Sequence, residues 1–318
     1  MTAKIFIDGE AGTTGLGIRE RLAGKPGIEL RSLGLEDRKN PQAKRDLMRG
    51  VDLVILCLPD DAAKEAVSLA ASLGDAAPRI LDASTAHRVT EGWVYGFPEL
   101  MEEQAEAIAK ARNVANPGCY ATGAIALLRP LIDAGLIPED FPIAINAVSG
   151  YSGGGRPMIE AHQAKTAPDF ELYGLGLDHK HLREIEAYSR LKRRPIFVPS
   201  VANFLQGMLV SVPLFLDALP GHPEVQDLEA ALQRRYGTSA HVRVMTGAQP
   251  DRIEAQSLNG SNDLELRIFS NEEERHAVLV AKLDNLGKGA SGAAVQNVSL
   301  MLGLPLDDAR PASTEAAI

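Results

Sequence analysis

The chain has 318 residues, 45% of them apolar and 24% charged, and carries a net charge of −9. That composition supplies core material for two globular domains. With no basic block anywhere, it argues against nucleic acid or an anionic membrane as the main partner and leaves room for a small anionic substrate held by a few local cations.

Met1-Thr2-Ala3-Lys4 passes directly into a strand-like Ile5-Phe6-Ile7, with no charged-then-apolar export signal. Asp8 to Gly17 follows as a glycine-rich turn, and Ile18-Arg19-Glu20-Arg21-Leu22 has a helical pattern, so the chain opens as a βαβ unit. Further strands are expected at Glu29 to Leu33, at Leu53 to Leu58 with a helix from Asp60, and at Ile80 to Asp82. This alternation predicts a Rossmann-type, doubly wound parallel α/β sheet. Leu53 to Leu58 is also the longest apolar run, far too short to span a bilayer. Cys57 lies inside it and is expected to be inert. Two cysteines in such different settings make no disulfide framework, so a reducing cytoplasm is the expected location.

In the first turn Gly9, Gly12 and Gly15 form Gly-x-x-Gly-x-x-Gly. Glycine there permits a tight turn and a close approach to pyrophosphate, while the helix that follows favours its negative charge. The context, after a strand and before a helix, favours dinucleotide binding over a plain turn. No acid stands at the expected end of the second strand, Ser32-Leu33-Gly34. Glu36 and Asp37 suit the ribose of NAD, whereas the adjacent Arg38 and Lys39 suit the 2′-phosphate of NADP; NADP is preferred.

Cys119 sits in Ala115-Asn116-Pro117-Gly118-Cys119-Tyr120-Ala121-Thr122-Gly123, where a polar turn gives way to an apolar helical run. A sulfur at a helix N-terminus faces backbone N–H groups and the positive end of the macrodipole, which favour the nucleophilic thiolate. The plain alternative is a small buried hydrophobe. Beyond it, strands are expected at Ile143 to Ser149, Ile196 to Val201, Gly207 to Leu214, Ala240 to Met245, Leu264 to Phe269 and Ala277 to Leu283. Long strands in succession with few helices predict an antiparallel or mixed sheet with helices on one face, an α+β domain. A last helix is expected over Ala293 to Leu302, and the Asp-, Ala- and Ser-rich tail from Pro305 is expected to be loose.

His179 and His181 precede a helical stretch from Leu182 and are the candidate acid/base groups, since imidazole titrates near neutral pH. Two residues apart, they are not expected to point the same way. Glu184, three positions on, favours His181 by one helical turn. A third strong ligand is lacking, so no metal is expected. His87 and His162 are weaker candidates, and His222 and His241 are expected to be surface residues. Arg156, after the glycine loop Gly150 to Gly155, and Arg88, past the fourth strand, can each clamp a carboxylate or phosphate; an exposed side chain is the alternative for both. Ser149, Ser152 and the loop amides can add phosphate donors. Asn285, Lys288 and Gly289 precede the last helix and can reach a nicotinamide or simply cap that helix.

Several of these segments resemble N-acetyl-gamma-glutamyl-phosphate reductase of arginine biosynthesis. The resemblance is carried by Asp8 to Gly17, Tyr95-Gly96-Phe97-Pro98-Glu99-Leu100, Asn116 to Thr122, Ser149 to Arg156, His179 to Ile185, Asp284-Asn285-Leu286 and Lys288-Gly289-Ala290. It runs from residue 3 to about 303, in the family's order, and is similar to the compact second type of the enzyme. It implies a Rossmann domain over 1–117 and 286–318, whose last helix comes from the C-terminus, and an α+β catalytic and subunit-contact domain over 118–285. It also implies an NADPH-dependent reduction of an acyl phosphate to a semialdehyde by a homodimer or homotetramer.

On this resemblance Cys119 is the nucleophile, with His181, His179 and Glu184 beside it. Gly9, Gly12, Thr13, Thr14, Gly15, Arg38, Ser84, Asn285, Lys288 and Gly289 serve the cofactor. Arg88, Asn116, Ser149, Ser152, Gly153, Arg156 and Gln206 serve the substrate. Two departures from the longer form stand out. Asp82-Ala83-Ser84-Thr85-Ala86-His87-Arg88 replaces an acidic-Phe-Arg pattern, and Gln206 replaces an arginine, which leaves one substrate-carboxylate ligand open. Related reductases acting on carrier-bound aminoadipyl phosphate or on aspartyl phosphate are the alternatives. A dinucleotide-sensing protein without catalysis, and a thiol hydrolase needing no dinucleotide, are further ones.

Overall fold

The computed structural model describes residues 2–305, so the expectation of a loose tail falls, beyond Pro305, outside the described residues. In chain order the first elements are β1 (Ala3–Asp8), α1 (Thr13–Leu22), β2 (Ile28–Arg31), α2 (Pro41–Arg49), β3 (Leu53–Leu56), α3 (Asp60–Ala71), β4 (Arg79–Asp82), β5 (Val94–Tyr95), α4 (Gln104–Lys110) and β6 (Asn113–Ala115). They are followed by α5 (Cys119–Asp133), β7 (Ala144–Gly150), α6 (Arg156–Gln163), β8 (Phe170–Leu172), α7 (Leu182–Ser189), β9 (Ile196–Ala202), β10 (Met208–Phe215), α8 (Val225–Tyr236), β11 (Val242–Met245), β12 (Leu264–Asn271), β13 (His276–Leu283) and α9 (Gly292–Leu302). The chain divides into two compact units. The first runs to Pro98, resumes over Glu103–Pro117 and takes the chain from Ala290; the second holds Glu99–Glu102 and Gly118–Gly289.

The first unit carries a six-stranded sheet in the order β2-β1-β3-β4-β6-β5, with every pairing parallel. The doubly wound α/β sheet expected from the strand–helix alternation is therefore present. Alternate residues of β1 point to opposite layers: Ile5 and Ile7 pack with Ile18, Leu22, Val298 and Met301, whereas Phe6 packs with Met48, Ala63 and Ala66. β1 has β2 on one side and β3 on the other, so the chain reverses its direction of winding at β1. Ligands of such sheets bind at that switch point, outside the carboxyl ends of the strands. The glycine turn starts there, directly after Asp8. Cys57 lies just past β3 rather than within it and is half-buried. Its surroundings push the thiol up to about 12, chiefly by burial, with the Asp82 and Asp8 charges adding to it.

The second unit carries a seven-stranded sheet in the order β11-β12-β13-β10-β7-β9-β8. It is mixed: β7 pairs β9 and β11 pairs β12 in parallel, and the other pairings are antiparallel. Along β10 the buried Val210, Val212 and Leu214 alternate with the more open Leu209, Ser211, Pro213 and Phe215. α5 lies on the sheet closely enough that a Cβ on Gly123 would stand 2.8 Å from Val210. Pro130 interrupts the hydrogen bonding of α5, and the Ala126 carbonyl that its missing N–H leaves open accepts the Tyr236 hydroxyl at 3.1 Å. α8 is thereby tied to the helix that carries Cys119.

Candidate active site

α5 begins at Cys119 because Gly118, in an extended conformation (φ −80°, ψ 148°), turns the chain into the helix. The Gly118 carbonyl accepts from the Thr122 amide at 2.9 Å and its hydroxyl at 3.0 Å, which secures the first turn. The half-buried Cys119 is thus the first helical residue, where helix dipole and backbone N–H groups favour an anion.

Glu184 lies in the first turn of α7 and is only 1% exposed. One of its oxygens accepts the Gly118 amide at 3.1 Å, and the other stands 4.0 Å from Nε2 of His181. One carboxylate therefore joins the turn that carries the thiol to the histidine preferred from the sequence. His179 and His181 do not diverge as expected. Their ring centroids are 4.7 Å apart, and each lies 5.9 Å from the Tyr120 ring. The reason is local: in the turn before α7 the His179 ring folds back onto the backbone amide of His181.

Hydrogen bonding separates the two rings instead. Nδ1 of His179 accepts the His181 amide at 3.2 Å, and its Nε2 faces the Tyr173 hydroxyl at 3.4 Å. An accepting Nδ1 fixes the proton on Nε2, so His179 is held as a neutral ring within the wall of the site. Phe197, 5.2 Å from His179 and 5.4 Å from Tyr120, closes the aromatic cluster. Burial pushes the Tyr173 hydroxyl up to about 12 and that of Tyr120 higher still, so both remain protonated at neutral pH.

A third segment, 284–289, lies against Cys119. A Cβ on Gly289 would fall 2.8 Å from that of Cys119. The segment is organised by the fully buried Asp284. Its carboxylate accepts from the amides of Leu286 (2.9 Å) and Gly260 (2.8 Å) and from the Gln206 side chain (2.5 Å). Its carbonyl accepts from Gly287 and Gly289, at 3.1 and 3.0 Å. The segment then continues as a π-helical turn over Gly287–Ser291.

Gln206, expected at the substrate, thus donates to Asp284. Asn285, expected at the cofactor, donates to Ser152 Oγ at 2.9 Å and accepts from the Gly207 amide at 2.8 Å, which ties it to the loop after β7. Ser149 donates to the Gly150 carbonyl at 3.0 Å and is 2% exposed, as is Ser152. Gly153 and Arg156 are exposed, and Arg156 opens α6. Lys288, 1% exposed, places its ammonium on both oxygens of Glu99, at 2.8 and 2.9 Å. Sequence reasoning assigned no role to Glu99, Asp284, Tyr120 or Tyr173. Glu99 and Asp284 lie within the quoted motifs, but their partners are 189 and 78 residues away.

In the first unit, the glycine turn has the shape of a phosphate cradle. Gly9 adopts φ +92°, and a Cβ there would lie 2.2 Å from the Cys57 carbonyl; a Cβ on Gly15 would lie 2.4 Å from the Gly9 carbonyl. Gly12 caps α1, whose N-terminus, at Thr13 and Thr14, receives no side-chain cap and no acidic residue. The residues fit a dinucleotide pyrophosphate: the turn brings bare backbone and a helix N-terminus to one place. A cavity of about 410 Å³ adjoins it, lined among others by Gly9, Glu10, Ala11, Leu33, Arg38 and Lys39.

Ser84 donates to Asp82 at 2.7 Å, and His87 contacts the same carboxylate at 2.6 Å while stacking on Trp93. Arg88 donates to the Asn116 carbonyl at 3.0 Å. The Asn116 side chain donates to the Ala290 carbonyl at 3.1 Å and accepts from Asn297 at 3.0 Å. His162 stacks on Tyr151, His222 is exposed and His241 is half-buried. Among the described residues, no group of three or more His, Cys, Asp or Glu residues is placed to hold a metal ion, and no helix is long and apolar enough to cross a membrane.

Residues 5–108 match the family model described as semialdehyde dehydrogenase, NAD binding domain, and residues 119–285 the one described as semialdehyde dehydrogenase, dimerisation domain. An N-acetyl-gamma-glutamyl-phosphate reductase of a Chelativorans species is 52% identical over 309 residues, 95% of this chain and 99% of the relative. The chain belongs to the N-acetyl-gamma-glutamyl-phosphate reductase family, built from semialdehyde dehydrogenase domains. The reductase resemblance read from the motifs is therefore borne out. The fold is shared more widely. Aspartate semialdehyde dehydrogenase from Francisella tularensis superposes with a TM-score of 0.71 at 12% identity, covering 95% of this chain and all of that one. The Candida albicans enzyme, solved with NADP, gives 0.64 at 16% identity, covering 95% and 99%.

Proposed function

We propose that this chain is an NADPH-dependent reductase that converts N-acetyl-L-glutamyl 5-phosphate to N-acetyl-L-glutamate 5-semialdehyde and phosphate, through a thioester on Cys119. The observation that carries the reading is the linkage of Cys119, at the first position of α5, to His181 through Gly118 and Glu184.

The Cys119 thiolate attacks the acyl-phosphate carbonyl. A C–S bond forms, the C–O bond to phosphorus breaks, and phosphate leaves with the bonding pair. Covalent capture divides one hard displacement into two easier steps. The glycine turn between β1 and α1 would hold NADPH, which when bound would supply the hydride that brings the thioester to the aldehyde oxidation level. His181 holds the proton of the resulting thiohemiacetal oxygen and removes it as the C–S bond breaks, returning Cys119 as thiolate. Glu184 orients His181 and offsets its charge when protonated. His179, held by the His181 amide and Tyr173, supports the pocket wall rather than exchanging the proton.

Asn285, Ser152 and Gly207 fix the loop after β7. Ser149, Gly153 and Arg156 of that loop, with Arg88 and Asn116, are proposed for the substrate's anionic groups; Gln206 acts through Asp284. Ser84, Lys288 and Gly289 are proposed for the cofactor side, Lys288 through its ion pair with Glu99. The domain limits read from the sequence, 1–117 with 286–318 and 118–285, are retained as the functional division. The enzyme is proposed to act in arginine biosynthesis in the cytoplasm, as a homodimer or homotetramer.

The test runs the reaction in reverse. Purified protein is given phosphate, NADP+ and either N-acetylglutamate 5-semialdehyde, aspartate 4-semialdehyde or the aminoadipate analogue, and NADPH is followed by absorbance. Turnover with the first is expected, and turnover with aspartate 4-semialdehyde only would overturn the assignment.

A further inference from the structure

The 83–93 segment between β4 and β5 contains no helix or strand, yet several of its side chains are closely held. Its centre is the carboxylate of Asp82, the last residue of β4, which is fully buried. Oδ1 accepts the Ser84 amide at 2.9 Å, and Oδ2 accepts the Ser84 hydroxyl at 2.7 Å and Nδ1 of His87 at 2.6 Å. A carboxylate only accepts, so the His87 ring carries a proton on Nδ1. The Thr90 amide donates to the His87 carbonyl and the Trp93 amide to the Thr90 carbonyl, each at 3.2 Å. These two turns bring the Trp93 ring back over the imidazole, 4.2 Å away and within 13° of parallel. The next residue, Arg88, is buried and places its Nε on the Asn116 carbonyl at 3.0 Å, while the Asn116 amide returns to the Asp82 carbonyl at 2.7 Å. Asp82, His87, Arg88 and Asn116 thus form a closed ring of three hydrogen bonds and one peptide bond. Pro117 and Gly118 carry the chain from that ring to Cys119.

We propose that His87 is a positioning residue for substrate binding: its Nδ1 bond to Asp82 holds this irregular segment in the shape that fixes the Arg88 guanidinium for the substrate's anionic group. This rests on the reading of Arg88 as a ligand of that group. Neither Asp82 nor His87 has a step of its own in the reduction. An arginine side chain in an irregular segment has many rotamers, and the freedom it gives up on binding weakens affinity. Here the rotamer is chosen beforehand, because the ring fixes the backbone ahead of Arg88 and Asn116 takes its Nε. The bond to Asp82, not the stack on Trp93, is the link that closes the ring, so packing and positioning are separable. Phenylalanine at 87 can keep the stack but offers Asp82 no donor. Asparagine offers an N–H close to the place of Nδ1 but no ring face.

The experiment measures the calorimetric affinity of the full-length protein for inorganic phosphate and for N-acetylglutamate, with KM values in the reverse reaction. Wild type is compared with Arg88→Gln, His87→Phe, His87→Asn and His87→Ala. Arg88→Gln is expected to weaken one of the two anions about tenfold or more, and so to identify the group it holds. His87→Phe and His87→Ala should weaken the same anion about tenfold, with kcat and the affinity for NADP+ within about threefold of wild type. His87→Asn should recover that anion to within about threefold of wild type. Trp93 is the chain's one tryptophan, so its emission follows the stack alone. The emission should change in His87→Asn and His87→Ala and hold in His87→Phe, the opposite order to the anion affinities. Wild-type affinity in His87→Phe, or His87→Asn as weak as His87→Ala, would overturn the proposal. Should His87→Phe fail to fold, the comparison of His87→Asn with His87→Ala still decides. Wild-type binding of both anions by Arg88→Gln would overturn the reading of Arg88 and the proposal with it, whereas a loss confined to Arg88→Gln would overturn the proposal alone. Failure of the reductase reading is distinct again, since it removes turnover with the semialdehyde while the anion titrations still decide.

Discussion

Glu184 and Gly118 are joined at 3.1 Å, carboxylate oxygen to backbone amide, across 66 residues of chain. The bond anchors the start of α7 to the turn that begins α5, and so places His181 and Cys119 in one frame. Glu184→Gln keeps an acceptor for the Gly118 amide but removes the charge that faces His181. Glu184→Ala removes both. We expect kcat to fall about tenfold in the first and about a hundredfold or more in the second, with smaller changes in KM, since acid–base assistance contributes about 10²- to 10⁴-fold. An unimpaired Glu184→Gln would show that the carboxylate's charge is irrelevant, and equal losses in the two variants would show that the bond to the Gly118 amide adds nothing to it.

Gly289 stands where a side chain would collide with Cys119. In Gly289→Ala the new methyl must push away from a Cβ at 2.8 Å and from the Asp284 carbonyl at 3.1 Å. A shift of about 1 Å at a reacting group can cost about a hundredfold, so kcat should drop by one to two orders of magnitude in a folded protein. Steady-state rates, with a thermal melt as the folding control, check this.

The two thiols should differ in reactivity and in their effect on stability. Iodoacetamide near neutral pH is expected to alkylate Cys119 and spare Cys57 until the chain is unfolded, read by peptide mass spectrometry. Burial raises the Cys57 thiol from 9.0 to about 12, so the folded state favours its protonated form. The stabilisation this contributes is complete below about 9 and disappears as pH rises towards about 12. A Cys57→Ala variant should therefore lose less melting temperature than wild type between pH 8 and about 11. Parallel curves would show that Cys57 does not titrate as its burial dictates.

Gly15→Ala probes the cofactor cradle. Its Cβ would lie 2.4 Å from a backbone oxygen, which cannot rotate aside as a flexible side chain can. The turn must open, and the dissociation constant for NADP+ should rise about tenfold or more, a cost of about 1.4 kcal/mol in binding. Titration by protein fluorescence measures it, and undiminished affinity would place the pyrophosphate elsewhere.

The features legible in the sequence are those encoded by neighbours in the chain. The glycine turn after Asp8, the helix start at Cys119 and the Glu184-to-His181 spacing each lie within about ten residues, where periodicity and turn chemistry act directly. The doubly wound sheet was legible for the same reason, although β2 ends at Arg31 rather than Leu33. Pairings such as Lys288 with Glu99 or Gln206 with Asp284 were not legible, because they depend on how distant segments pack. The closeness of the His179 and His181 rings was not legible either, because it depends on the turn in which the His179 ring accepts the His181 amide. Glu10 was passed over as well: next to three glycines it reads as a loop charge, and only the folded positions of Arg19, Ser32 and Arg38 give it partners.

Covalent capture by Cys119 is most directly tested by withholding phosphate. Protein mixed with NADP+ and N-acetylglutamate 5-semialdehyde, quenched in acid and digested, is examined by mass spectrometry alongside the absorbance of NADPH. The thioester mechanism requires a burst approaching one NADPH per active site and a peptide containing Cys119 that carries one N-acetylglutamyl group, removed when phosphate is added. Phosphate-dependent turnover by Cys119→Ser at the wild-type rate, with no acyl group on any peptide, would contradict it.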